Sequence, residues 1–214
     1  MIAAIVPAKA LDQAKGRLAA LLSEGERHEL ALAMLEDVVR ALQGVGEIGS
    51  VTVVSPDAEV LDVARSLGAT TLPEPPTVRG INQALSYALG LQSPAPDALV
   101  VVLADVPEIT PSAVRAALEA LPERGFVICP SHDNGTSLLA VRPAGLIPFR
   151  FGPKSFSLHK REAAALGVPA EVLRIEALAR DIDTPDDLRQ LASHAGADSA
   201  TGRLLARLRI AERA

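Results

Sequence analysis

The apolar run ALVVVLA, residues 98 to 104, stops at Asp105, and Pro107 follows almost at once. A continuously hydrophobic strand of this kind lies inside a parallel sheet, and open α/β sheets bind their ligands at the carboxyl ends of such strands. Further on, ARDIDTPDDL supplies Asp181 and Asp183, which alternate along an extended segment and so face the same way. Carboxylates from separate strand ends can share a magnesium ion, a hard cation that takes oxygen ligands and completes its shell with water and substrate phosphates. Either Asp181 or Asp183 fits as the partner of Asp105. Asp186 and Asp187 fit the first turn of a helix, where they complement its dipole. A plainer reading of Asp105, a cap on the turn that follows it, also stands.

The cations are equally concentrated. The chain has four lysines against seventeen arginines, and all four fall in two segments: Lys9 and Lys15 in PAKALDQAKGR, Lys154 and Lys160 in FGPKSFSLHKR. The first segment follows the opening apolar run and offers Lys9, Lys15 and Arg17 to a polyphosphate, unless it is simply a solvated basic loop. The second sets Gly152 and Ser155 at the start of the pattern SFSLHKREAAALG, where free N–H groups and the helix dipole favour an anion; an N-cap serine without a ligand is the alternative. SHDNGTS, with Gly135 and Thr136, fits either a hairpin turn or the wall of an acceptor pocket. No G-x-x-x-x-G-K-[ST] or G-x-G-x-x-G run occurs, and His28, His132, His159 and His194 show no metal spacing. Transfer of a phosphoryl or nucleotidyl group needs mainly positioning and charge stabilisation, which these residues can supply.

Elements must hold these groups in place. Short β-like runs at 2–6, 51–55, 69–72, 98–104, 126–130, 137–141 and 171–175 alternate with helical patterns, which predicts an α/β fold with a mostly parallel central sheet and helices on both faces. Ser23 with Glu26 is a capping-box pattern. Ser55-Pro56, Thr110-Pro111 and Thr184-Pro185 each set a hydroxyl before a proline at a helix start, and Gly68 is a stop. Prolines mark residues 72–80 and 92–97 as loops. The length suits a single domain over residues 1–214, ending in a helical tail with a basic face from about residue 196.

Composition excludes other classes. A net charge of −5, 2% aromatics and no Trp leave no nucleic-acid groove or base-stacking platform. No apolar stretch reaches the roughly 18 residues of a membrane span, and the start has no signal-peptide pattern, so a cytoplasmic location is expected. Cys129, the only cysteine, sits in the apolar run GFVICP and reads as a buried thiol.

Taken together, VPAKALDQAKGRLAALLSEGERHELALAMLEDVV, GINQALSYAL, VVLADVPEITP, DNGTSLLAV, FGPKSFSLH and DIDTPDDL resemble the guanylyltransferases of coenzyme F-420 biosynthesis. The resemblance runs from residue 1 to about 192 and leaves out the tail. It implies a glycosyltransferase-A-like, Rossmann-like nucleotidyltransferase that joins GTP to phosphoenolpyruvate or 2-phospho-L-lactate. It further implies that Lys15 and Arg17 hold the GTP phosphates and act in catalysis with Asp105, that Asn82 lies near the nucleoside, and that Asp105 and Asp183 bind magnesium. Thr136, Gly152 and Ser155 would hold the acceptor's phosphate and carboxylate. Two residues depart from the family pattern: Ser137 where Asn is common, and Lys154 where the FGPGS form has Gly.

The implied reaction is attack by an acceptor phosphate oxygen on the α-phosphorus of GTP, with release of pyrophosphate. That nucleophile is ionised at neutral pH and needs no strong base. A bacterial-looking Ala-, Arg- and Pro-rich composition favours phosphoenolpyruvate as acceptor, by analogy with bacterial members of the family. The alternatives are 2-phospho-L-lactate, a sugar phosphate or molybdenum-cofactor precursor on the same fold, and a non-enzymatic nucleotide-binding protein. A homodimer is a possible assembly.

Overall fold

The alternation of apolar runs with helical patterns is realised as one sheet. The computed structural model describes residues 1–213. Strands β1 (Ile2–Pro7), β2 (Ile48–Ser55), β3 (Thr70–Pro73), β4 (Ala98–Val102), β5 (Gly125–Cys129), β6 (Leu138–Arg142) and β7 (Ala170–Val172) are ordered β3-β2-β1-β4-β6-β5-β7. Every pairing is parallel except those of β6, which runs antiparallel to both β4 and β5. The β5–β6 connection therefore turns back at the same edge where the parallel strands end.

The strand interiors are buried on both sides, as their unbroken hydrophobicity requires. Ala4, Val6, Val100 and Val102 face one cluster with helices α1 (Glu24–Gln43), α2 (Ala58–Ser66) and α4 (Pro111–Glu119). Their neighbours Ala3, Ile5, Leu99 and Val101 face the other, with α3 (Gly80–Gly90) and α5 (Ser155–Leu166). None of the described helices is long and apolar enough to cross a membrane.

Helix starts follow the expected chemistry with one exception. Ser23 and Glu26 form a reciprocal capping box, as do Thr184 and Asp187 at α7 (Pro185–Ala192), and Thr110 Oγ1 accepts from Ala113 N at α4. Ser55 is not a cap. Strand β2 continues through it, and Asp57 caps α2 by accepting from Glu59 N at 2.9 Å. Two of the expected strands are shorter than their apolar runs: β4 stops at Val102 and β7 at Val172.

The tail is built into the structure. Helix α8 (Ala200–Arg207) lies on α1, and a short 3-10 turn, Ile210–Glu212, follows it. Leu204, Leu205 and Ile210 join Leu18, Leu30, Met34, Leu188 and Leu191 in a third buried cluster. Asp37, in the middle of α1 and 8% exposed, accepts from the N–H groups of Ala200 and Thr201 at 2.7 and 2.9 Å, so a buried carboxylate is satisfied by a helix N-terminus. The basic face expected of the tail is turned toward acidic α1: Arg207 pairs with Glu29 and Arg203 with Glu36. Arg213 bonds Glu26, and that bond, with Ser23 N–H, holds the Glu26 carboxyl down to about 2.

Leu205 is 3% exposed. Leu205→Ala should therefore cost about 2 to 4 kcal/mol in urea denaturation, whereas a loosely attached tail would show under about 0.5 kcal/mol.

Candidate active site

The loop after β1 is pinned from within. Leu11 and Leu18 are buried, and Leu11 N–H donates to the Asp57 carboxylate at 2.9 Å. Between these anchors Lys15 takes the left-handed conformation (φ 54°, ψ 32°), which few non-glycine residues adopt. Its side chain is only 6% exposed, and its ammonium donates to Asp105 Oδ2 at 2.8 Å and Asp183 Oδ1 at 3.2 Å. Burial alone would lower the Lys15 pKa, but the two carboxylates outweigh it and hold the ammonium above its ordinary value. Arg17 stays at the rim, 77% exposed, with its guanidinium 3.8 Å from Asp183.

Both carboxylates arrive by short routes. Strand β4 closes at Val102, and Leu103 N–H still donates to Ser137 O at 3.1 Å before the turn that presents Asp105. Asp183 is held by its neighbour's cap: Asp187 Oδ2 accepts from Asp183 N, Thr184 N and Thr184 Oγ1 at 3.2, 2.8 and 2.7 Å. Asp187 thus serves the helix start, as its position suggested. Asp181 lies on the same cavity wall, and burial, followed by Asp105, Asp133 and Asp183, pushes its carboxyl up to about 6.

A cavity of about 470 Å³ opens between this cluster and the β5–β6 turn. Lys9, Lys15, Asp105, Asp181 and Asp183 line it, as do Thr136, Gly152 and Ser155. Residues 131–137 are both a hairpin turn and a cavity wall: Asp133 Oδ1 accepts from Gly135 N at 2.8 Å and from Ser131, so the turn is tied by its own side chains. Gly152 has φ +118°, a conformation that excludes side chains although the space beside it is open. Ser155 is the first residue of α5 rather than its cap; Lys154 precedes it in the left-handed region at φ 61°. A glycine at that point is conformationally at ease, which accounts for the family's FGPGS form. Neither Lys154 nor Ser137 is among the cavity-lining residues.

Seven of the nine site residues expected from sequence converge on this cavity. Arg17 reaches it through Asp183. Asn82 has a different role: its amide donates to Phe151 O at 3.0 Å and accepts from Phe151 N at 2.7 Å, a two-bond clamp from α3 onto the segment that carries Gly152. The cavity wall on that side is made by Gly80 and Ile81.

The residue that sequence reasoning missed is His159. It lies four positions after Ser155 in α5 and is fully buried, with Nδ1 3.1 Å from Thr136 Oγ1. Nε2 accepts from Arg150 N at 3.1 Å, and the Phe151 ring packs edge-on against the imidazole. The i, i+4 spacing within SFSLH was the available signal.

Burial, with Arg150 adding to it and Glu162 opposing it, lowers the His159 pKa to about 4. An unfolded histidine titrates near 6.5, so between about pH 4 and 6.5 the unfolded chain binds the extra proton. The stability due to neutral His159 is therefore complete above about pH 6.5 and is lost as pH falls toward 4. Melting temperatures of the wild type and His159→Phe, compared at pH 7 and pH 5, should show the wild type losing more on acidification. Parallel losses would mean that His159 takes up its proton over the same pH range folded and unfolded, so that burial does not lower its pKa.

Comparison with known proteins places the chain in a family. The chain is 44% identical to a phosphoenolpyruvate guanylyltransferase of Sphaerobacter thermophilus, over 90% of this chain and 93% of that protein. It is 35% identical to a 2-phospho-L-lactate guanylyltransferase of Methanothermobacter thermautotrophicus, over 89% of this chain and 84% of that protein. A solved nucleotidyl transferase structure from Methanothermobacter thermautotrophicus shares the fold, with a TM-score of 0.69 at 18% identity over 91% of this chain and 97% of that one. The model of the family described as guanylyl transferase CofC like matches residues 2–213, which takes in the tail that the motif resemblance left out. The chain belongs to that guanylyl transferase family.

Proposed function

We propose that the protein transfers GMP from GTP to phosphoenolpyruvate, giving enolpyruvoyl-diphospho-guanosine and pyrophosphate, a step of coenzyme F-420 biosynthesis. The observation that carries this reading is the cavity. Lys15 sits there between two carboxylates, and the hydroxyls of Thr136 and Ser155 with Gly152 line the same space. The kinship with a phosphoenolpyruvate guanylyltransferase supports the choice of acceptor. Kinship with 2-phospho-L-lactate guanylyltransferases favours that acid as the second reading.

Charge supports a bound cation. Five carboxylates line the cavity, those of Glu74, Asp105, Asp133, Asp181 and Asp183, against the ammonium groups of Lys9 and Lys15. A triphosphate would enter such a site only with added positive charge. Asp105 and Asp183 already share one cation, the Lys15 ammonium, so their oxygens fit a two-carboxylate site for a hard ion. Among the described residues no cluster of three or more His, Cys, Asp or Glu is poised for a metal, and a magnesium ion there would draw its other ligands from water and substrate phosphates. Magnesium would supply stabilisation of charge on the phosphate oxygens as the α-phosphorus is attacked.

The chain's own residues do the rest. Lys9, Lys15 and Arg17 orient the triphosphate; Thr136, Gly152 and Ser155 hold the acceptor. One acceptor phosphate oxygen forms the new bond to the α-phosphorus, the bond from that phosphorus to the bridging oxygen breaks, and pyrophosphate leaves with the electron pair. No proton has to move, which suits a site without a catalytic triad.

The direct assay is pyrophosphate release with GTP or CTP and each acceptor in turn. GTP with phosphoenolpyruvate should give the highest kcat/KM, with some use of 2-phospho-L-lactate, since such near-isosteres differ by only about 1 to 3 kcal/mol in a pocket. No turnover of either acid with GTP would refute the reading. Asp105→Asn should keep the fold and lower kcat by about a hundredfold or more. Lys15→Ala and Arg17→Ala should raise KM for GTP much more than for the acceptor; the reverse pattern would mean that the two halves of the cavity have been exchanged.

A further inference from the structure

We infer that His159 is the positioning residue of the acceptor side: held as its Nδ1–H tautomer, it donates to Thr136 Oγ1 and leaves one hydroxyl hydrogen of the Thr136–Ser155 pair to be given to an anion in the cavity. The inference rests on the reading that Thr136, Gly152 and Ser155 hold the acceptor.

The argument is a count of hydrogens. Arg150 N–H can only donate, and it points at His159 Nε2 from 3.1 Å, so Nε2 must present its lone pair. A neutral imidazole then carries its single hydrogen on Nδ1, whose hydrogen-bond partner among the described residues is Thr136 Oγ1 at 3.1 Å. Ser155 Oγ lies 3.2 Å from the same oxygen. Thr136 and Ser155 bring two hydroxyl hydrogens, and one of them bridges the two oxygens. The other has no protein acceptor among the described residues, while both side chains line the cavity.

The opposite tautomer leaves the pair one hydrogen short. With the hydrogen on Nε2, Thr136 would donate to Nδ1, and the one hydrogen left, on Ser155, could serve either Thr136 or the ligand but not both. A phosphate or carboxylate oxygen would then gain its charge-assisted hydrogen bond only by breaking the bond between the two hydroxyls. Thr136, Ser155 and His159 are 2%, 1% and 0% exposed, so the three side chains satisfy one another before they meet anything else. One backbone N–H, that of Arg150, thus decides through His159 whether the pair can donate to a ligand and keep its own hydrogen bond. The Asn82 clamp on Phe151 fixes the peptide that follows Arg150.

Two measurements on the full chain test this. Nitrogen-15 NMR of the histidine ring nitrogens should show His159 as the Nδ1–H tautomer at neutral pH; an Nε2–H tautomer would overturn the inference whatever the substrate is. In kinetics with GTP and phosphoenolpyruvate, His159→Phe removes the donor and should raise KM for phosphoenolpyruvate about tenfold, with KM for GTP changed by less than about twofold. His159→Asn retains an N–H within the first two bonds of the side chain and should recover most of that loss. Equal loss in both variants, or a change confined to GTP, would make His159 a packing residue and overturn the inference. Should His159→Phe fail to fold, the tautomer and His159→Asn still decide. Thr136→Ala is the separate control: an unchanged KM for phosphoenolpyruvate in that variant would overturn the acceptor-site reading itself, even with the Nδ1–H tautomer observed.

Discussion

The ammonium of Lys15, held between Asp105 and Asp183, is the interaction on which the site depends. It ties together the loop after β1, the turn after β4 and the segment before α7, positions 90 and 168 residues apart along the chain. A side chain that is 6% exposed can remain charged there only because two carboxylates face it. The arrangement is reciprocal, since without Lys15 the two carboxylates would face each other beside Asp181. Leu11 and Leu18 underneath, the left-handed backbone at Lys15 and the Asp187 cap beneath Asp183 are what that one ammonium requires of its surroundings.

The wall that carries Thr136 follows from the single reversed strand. Because β6 runs against its neighbours, the β5–β6 turn comes back to the edge where the parallel strands end and brings Thr136 with it. Helix α5 begins at the same edge with Ser155, and His159 one turn later joins the two hydroxyls from behind. The two groups differ in kind. Lys15 with its carboxylates is ionic and partly open to solvent; Thr136, Ser155 and His159 are buried and joined by hydrogen bonds.

Much of this was legible in the residues. The alternation of strands and helices, the capping patterns at Ser23, Thr110 and Thr184, and the place of Asp105 at a strand end follow from local chemistry and from the behaviour of buried parallel strands, whereas the choice of Asp183 over Asp181 came from the family resemblance and the Lys15 ion pairs were not foreseen. What escaped depends on side chains distant in sequence. Ser55-Pro56 has the composition of a helix start, but Asp57 supplies a stronger cap and also receives Leu11 N–H. Asn82 has the look of a ligand-binding amide and is instead committed to a backbone peptide 69 residues away. Asp37 interrupts the apolar face of α1, a defect in the pattern until α8 places its N-terminus there. His159 escapes any reading of histidines by metal spacing, because its role comes from Ser155 on the same helix face and from Arg150 in the preceding loop.

The division of the cavity is the central claim, and a structure of the protein with magnesium and a nonhydrolysable GTP analogue tests it most directly. The triphosphate should lie along Lys9, Lys15 and Arg17, with the metal against Asp105 and Asp183 and with Thr136, Gly152 and Ser155 free for the acceptor. A triphosphate bound instead to Thr136, Gly152 and Ser155, or a metal bound away from Asp105, would contradict it.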